Sequence, residues 1–254
     1  MILSFKFFLM FLNWFQAKLN SIAIIDASQL TKEIFIKDYY KPRIPLLVKG
    51  GAKNWSIMQK WSKEYIIETS GDYECTIVSD SRPASAKITT SIRNYFEKYT
   101  DKSTLTLEKY QRNKAPAFLN DIELPNDFFS KKDIARFFFY HSNKDGGTLP
   151  HNHGDAFNIL QSGKKHWIFY DANKLEAPNG NQRMHFYHQK YPVGTHAKDF
   201  FKSELKSLSK NVSDTAECFQ EAGDIIYVPR QYCHAVLNKS EVMGLVVETF
   251  LPKK

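Results

Sequence analysis

"AGDIIYVPRQYCHAVLN", residues 222–238, reads as a strand, a turn and a second strand. Ile225 to Val228 form a short apolar run rich in β-branched and aromatic residues, the mark of a buried strand. Pro229 stops it, because proline has no N–H to give to a sheet ladder. A short turn follows, and His234 opens the next apolar run. A titratable imidazole therefore stands at the first position of a strand, just behind a turn.

Runs of the same kind surround this stretch. "ARFFFYHS", "FNILQSG", "KHWIFYD", "ECFQE" and "VMGLVVETF" are short, β-rich and separated by turn residues. Many short strands with turn signals argue for a sandwich or barrel. The earlier half reads differently. In "IDASQLTKEIFIKDYYKPRIPLLVKGGAKNW", residues 25–55, Thr31 and the apolar spacing predict an N-capped helix, ended by Pro42 and Pro45. "PLLVKG" predicts a buried strand stopped at Gly50-Gly51, "NWSIMQKWSKEYIIETSG" and "TTSIRNYFEKYT" predict helices, and "YECTIVS" a strand. Residues 101–135 read as irregular, with a strand candidate at "APAFL". Helices first and strands later suit an α+β chain, mainly β. Its core is expected to be a double-stranded β-helix of jelly-roll or cupin type behind a helical N-terminal part.

Upstream, "TLPHNHGDAFN", residues 148–158, places His151, His153 and Asp155 on alternate positions. On a regular strand these three share one face. Two histidines and a carboxylate on one side of a metal form a common non-haem iron set that leaves positions open for substrate and oxygen. The third ligand must come from elsewhere in the chain, and His234 is the candidate.

The composition is that of a folded protein: 43% of residues are hydrophobic and 15% aromatic. The formal charge of +8 comes mostly from lysines dispersed along the chain, which points to a solvated surface and to no nucleic-acid partner. Residues 1–23, "MILSFKFFLMFLNWFQAKLNSIA", resemble a secretory signal peptide, with an apolar run too short for a standard membrane span. The expectation is a leader over 1–23, one domain over 24–254, and an endoplasmic-reticulum lumen or secreted location, with an uncleaved membrane anchor as the alternative. Asn54, Asn211 and Asn238 begin possible glycosylation tripeptides. In an oxidising lumen Cys75 and Cys218 could pair and leave Cys233 free.

Taken in order, these pieces resemble the JmjC family of iron and 2-oxoglutarate dioxygenases within the cupin superfamily. The resemblance rests on the opening helix and strand of 25–55, Thr148-x-x-His151, "AFNILQSGKKHWIFYD" and "AGDIIYVPRQYCHAVLN". It covers nearly the whole chain after the leader and is greatest for the luminal proteins that consist of a JmjC domain only. The resemblance implies Fe(II) as metal and 2-oxoglutarate as cosubstrate. It implies His153, Asp155 and His234 as metal ligands, Lys165 at the distal carboxylate of 2-oxoglutarate, and Thr148 and Asn158 as supporting hydrogen-bonding groups. No catalytic residue beyond the metal ligands is implied. The implied activity is protein hydroxylation, and the alternative is a catalytically inactive JmjC fold that acts as a protein-interaction module.

The opening motif departs from the family. Thr148 stands three before His151, and Lys165 stands fourteen after His151 but twelve after His153. Those intervals suit His151 as first ligand, with His153 where the carboxylate belongs, as in the luminal relatives. Residues two apart on a strand are about 6.7 Å apart and residues four apart about 13 Å, so the simple pairs are 151 with 153 or 153 with 155. The expected set is His153, Asp155 and His234, with His151 as the alternative ligand. Trp167, Phe169 and Tyr227 read as core, His185 and His188 as loop residues, and Cys233 as a thiol without an oriented base.

Overall fold

A computed structural model describes residues 20–79, 87–101, 103–109, 115–124, 133–170, 195–205, 215–230 and 232–249. Asn211, His185, His188 and the first nineteen residues of the expected leader lie outside them. The described strands are β1 (Asn20–Ser21), β2 (Ala23–Asp26), β3 (Leu46–Lys49), β4 (Glu74–Ser79), β5 (Lys87–Ser91), β6 (Ser103–Lys109) and β7 (Ile134–Ser142) in the first half. The second half carries β8 (Gly147–His151), β9 (Ala156–Ser162), β10 (Lys164–Tyr170), β11 (Ala216–Glu221), β12 (Ile225–Val228), β13 (Cys233–Asn238) and β14 (Val242–Thr249). They form a large sheet in the order β2-β3-β12-β9-β14-β7-β6-β4-β5 and a small one in the order β1-β11-β10-β13-β8. This is the expected two-sheet, mainly β architecture. Its ordered strands reach back to Asn20, ahead of the expected boundary at Ile24.

Most described helices sit in the first half; a short helical stretch, Ala197–Asp199 continuing as a π-helical segment over Phe200–Glu204, lies in the second. Thr31 Oγ1 accepts from the Ile34 N–H at 3.3 Å and starts α1 (Lys32–Ile34), which continues as a π-helical segment over Phe35–Tyr40. "NWSIMQKWSKEYIIETSG" holds two helices rather than one, α2 (Ser56–Lys60) and α3 (Lys63–Ser70). The break falls at Trp61, whose buried indole packs edge-on against Phe118 and Phe139, and Ser62 recaps the chain. "TTSIRNYFEKYT" likewise splits into the end of β5 and α4 (Ile92–Lys98), with Ser91 as the cap.

Two expectations for 101–135 are corrected. "APAFL" is not a strand: Ala117–Asp121 is a 3-10 helix begun at Pro116. Phe118 and Leu119 are adjacent and both fully buried, packed into the same apolar cluster, where a strand would send them to opposite faces. β6 was missed. Its alternation of Thr104, Leu105, Thr106 and Leu107 is a regular strand signal, but one flanked by polar residues.

The large sheet is buried on both faces, and alternation sorts its residues. Leu46, Val48, Phe157, Ile159, Ile225, Tyr227, Leu245 and Val247 face the helices and join the main core with Trp55, Ile57, Trp61 and Tyr95. The intervening residues face the small sheet. Leu47, Ile226 and Val228 pack there against Trp167, Phe169, Cys218 and Val236. Cys75 lies in the first cluster and Cys218 in the second; both are free and buried, which rules out the pairing considered above. Asn238 is only 2% exposed, and its amide donates to the Asn143 carbonyl at 3.1 Å, so a glycan there does not fit the folded chain. Asn54 is exposed. No helix among the described residues is long and apolar enough to cross a membrane.

Gly244 in β14 sits at a tight point within the large sheet, between β7 and β9. A Cβ there would run into the Tyr140 hydroxyl and the Ile159 carbonyl. Gly244→Ala is therefore expected to destabilise the protein by about 1–3 kcal/mol, as overpacking does, read from the midpoint of urea unfolding.

Candidate metal and cosubstrate site

The site lies between the two sheets, in a cavity of about 250 Å³ lined by β6, β7, β9 and β14 on one side and β8, β10 and β13 on the other. β13 pairs antiparallel with β8, and His234 is the register partner of His151. The next partner pair is Val236 with Thr148, so two residues of β8, Leu149 and Pro150, oppose the single residue Ala235. This is a β-bulge, and it carries the proline that a regular ladder would reject. Its consequence is functional. Thr148 and His151 are three apart and would point to opposite faces of a regular strand, yet both line the cavity.

His151, His153 and His234 converge, with their candidate ligand nitrogens all within 4.8 Å of one another. The ring centroids of His151 and His153 lie 4.2 and 4.8 Å from that of His234. Each Nδ1 sits against a backbone carbonyl: His151 on Leu149 at 2.8 Å, His153 on Gly154 at 2.7 Å and His234 on Tyr232 at 3.1 Å. A carbonyl oxygen only accepts, so each Nδ1 carries the proton and donates it. The Nε2 lone pair of each neutral ring is left as the donor to an ion, the arrangement that orients histidine ligands in metal sites. Burial, then the nearby His151 and His153, hold the His234 imidazole well below the usual histidine range and hence neutral. The donor set fits a borderline cation such as iron, zinc, copper or nickel.

Asp155, expected as a ligand, is not brought into this set. β8 ends at His151, the chain turns, and the strand alternation that would have aligned Asp155 with His153 is lost. Its buried carboxylate accepts from Tyr227 Oη at 2.8 Å and the Arg230 N–H at 3.0 Å on Oδ1. On Oδ2 it accepts from Arg230 Nε at 3.2 Å and Nη2 at 3.1 Å. Of the expected ligands, His153 and His234 converge with the alternative His151, and Asp155 stands apart from them.

The cosubstrate candidates do come together. Lys165, Thr148 and Asn158 line the same cavity as the histidines. Alternation on β10 separates the two neighbouring lysines: Lys164 is exposed and ion-paired with Glu221 at 2.9 Å, while Lys165 is 6% exposed and points inward. The Lys165 Nζ lies 3.6 Å from the centroid of the Tyr140 ring and pairs with no carboxylate among the described residues. Burial pushes its pKa down to about 7. The Tyr140 hydroxyl donates to Asn158 Oδ1 at 2.9 Å, which fixes both groups.

Sequence reasoning missed Tyr140, Arg230 and Glu248. Tyr140 and Ser142 are the polar members of "ARFFFYHS" that alternate with Phe139 and His141, a signal present but masked by aromatic content. Glu248 lines the cavity and is held by Arg136 at 2.6 Å. Trp167, Phe169 and Tyr227 are core as expected, although Trp167 also lines the cavity. Cys233 is fully buried, and burial raises its thiol to about 11, which leaves it inert.

Comparison with known proteins finds distant relatives over most of the chain. The bifunctional arginine demethylase and lysyl-hydroxylase psr-1 of Caenorhabditis elegans is 24% identical over 244 residues, covering 89% of this chain and 60% of that protein. The tRNA wybutosine-synthesizing protein 5 of Gallus gallus is 23% identical over 276 residues, covering 92% and 79%. The 2-oxoglutarate and iron-dependent oxygenase JMJD4 of Mus musculus is 21% identical over 251 residues, covering 83% and 56%. The chain thus spans only part of the length of the relatives it matches. Residues 31–250 match the family described as the cupin-like domain, and with two facing sheets around a histidine-lined cavity the protein belongs to that family.

Proposed function

We propose that this chain is an iron(II)- and 2-oxoglutarate-dependent oxygenase acting on a protein side chain, with His151, His153 and His234 as metal ligands. The observation that carries the reading is Lys165, a buried ammonium with no carboxylate partner among the described residues, in the cavity that the three histidines share. A buried unpaired cation is costly, and a dianionic keto acid supplies the missing counter-charge. Three neutral imidazoles also leave both charges of a divalent ion uncompensated, which favours an anionic co-ligand. Lys165 would take the distal carboxylate, with Thr148 and Asn158 beside it, and the histidines would orient the ion. Iron, when bound, supplies the oxygen-activating chemistry. The names of the C. elegans and mouse relatives support this class.

The convergent set holds no carboxylate, and this favours a second reading, a catalytically silent fold that binds other proteins. The test is anaerobic loading with iron(II), followed by measurement of 2-oxoglutarate conversion to succinate in air. Turnover in the wild type that is lost in His153→Ala and His234→Ala supports the oxygenase. A folded protein that takes up no stoichiometric metal supports the binding module.

Two further outcomes follow from Lys165. Lys165→Met removes an unpaired buried charge, so it is expected to raise the thermal midpoint of the ligand-free protein while abolishing 2-oxoglutarate binding, read by calorimetry. The dianion selects the protonated amine, which titrates near 7 in the empty cavity. Affinity for 2-oxoglutarate is therefore full below that pH and falls as pH rises through it, by up to about tenfold per unit. Titration calorimetry across neutral pH reads this slope, and it should be absent in a control that binds elsewhere.

A further inference from the structure

We infer that Asp155 is a positioning residue, a buried clasp that joins the loop carrying His153 to the loop leading into His234. The inference rests on the three-histidine reading above. The first loop, 152–155, links β8 to β9, and the second, to which Arg230 and Tyr232 belong, lies between β12 and β13. Asp155 at the end of the first accepts the backbone N–H and the forked guanidinium of Arg230 in the second. Tyr227 at the end region of β12 adds its hydroxyl at 2.8 Å. The Asp155 backbone is held as well, since its carbonyl accepts the Thr249 N–H of β14 at 2.9 Å. The carboxylate is 3% exposed by side chain, whereas Arg230 keeps 27%. Four donors occupy its two oxygens, close to what a carboxylate accommodates. A forked arginine–carboxylate pair fixes geometry as well as contributing attraction.

His153 lies two residues before Asp155 and His234 four after Arg230. His234 is fixed in the β13 ladder, whereas His153, Asp155 and Arg230 lie outside the strands, so the clasp holds the loop of His153 against the loop leading into His234 from outside the set of three imidazoles. Groups that orient ligands in this way change metal affinity by about 10–100-fold when removed.

The test is a Co(II) titration of the full-length protein, following the visible absorption bands of the bound ion together with thermal melting. Asp155→Asn and Arg230→Met are each expected to weaken Co(II) binding by about 10–100-fold and to shift the bands, and the double variant to be no worse than either single one. Arg230→Lys, which keeps the charge and the backbone donor, should recover part of the loss. Tyr227→Phe deletes one hydroxyl from a buried ring and serves if Asp155→Asn does not fold; a smaller weakening in the same direction is expected. If Asp155 is itself a ligand, Arg230→Met frees its carboxylate and leaves binding unchanged or tighter, which overturns the clasp. Lower melting temperatures with unmoved affinity and bands overturn it too. A wild type that takes up no Co(II) overturns the metal reading itself, which separates that failure from a failure of the clasp.

Discussion

The constraint on which the molecule depends is the two-sided burial of the large sheet. A strand sends successive side chains to opposite faces, and β3, β9, β12 and β14 must satisfy a helical layer on one face and a second sheet on the other. Their helix-facing residues form one continuous core, and that core supplies the rigidity. The other face is freed to be mixed. It is apolar around Ile226 and Val228, and polar where Asn158 and Glu248 meet the cavity. Because each polar side chain shares its strand with neighbours locked into the main core, the site inherits its precision from the packing behind it.

Much of this was legible in the sequence, and the failures have physical causes. The β-rich second half, the cap at Thr31, and the strand–turn–strand around His234 are local signals that tertiary packing reinforces. Lys165 and Asn158 were found from the family pattern, and alternation on β10 then explains why Lys165 and not Lys164 enters the cavity. The misses occur where regular periodicity stops. β6 is half polar because one of its faces lines the cavity. "APAFL" looked extended because it is apolar, but two adjacent buried residues demanded a helical turn. Asp155 was expected beside His153 because strand alternation was carried past the true end of β8.

The electrostatics of the cavity follow from burial more than from any ion pair. His234 and Lys165 are both pushed toward their neutral forms by desolvation, the one at the end of the converging histidines and the other at the end beside Tyr140. Neutral imidazole is the form that binds a metal, and a cation is the form that binds a carboxylate, so the two ends respond to loading in opposite senses. A cation arriving at the histidines meets lone pairs already presented by the Nδ1 hydrogen bonds. An anion arriving at Lys165 restores a charge that the empty cavity suppresses. Metal and keto acid therefore cooperate electrostatically, because each supplies the counter-charge that the other's surroundings lack.

The fate of Asp155 shows why residue type and spacing alone misassign such sites. A histidine and an aspartate two apart form a plausible pair only while the chain remains a strand. Here the bulge at Leu149–Pro150 adds a residue upstream, which turns His151 into the cavity opposite His234. His153 converges with that pair, and the Asp155 carboxylate, two residues on, lies in the grip of Arg230. A buried carboxylate needs partners wherever it sits. Since the arginine belongs to the very loop that leads into His234, Asp155 remains tied to the three histidines without joining them, and the same local irregularity accounts for both their convergence and the contact behind it.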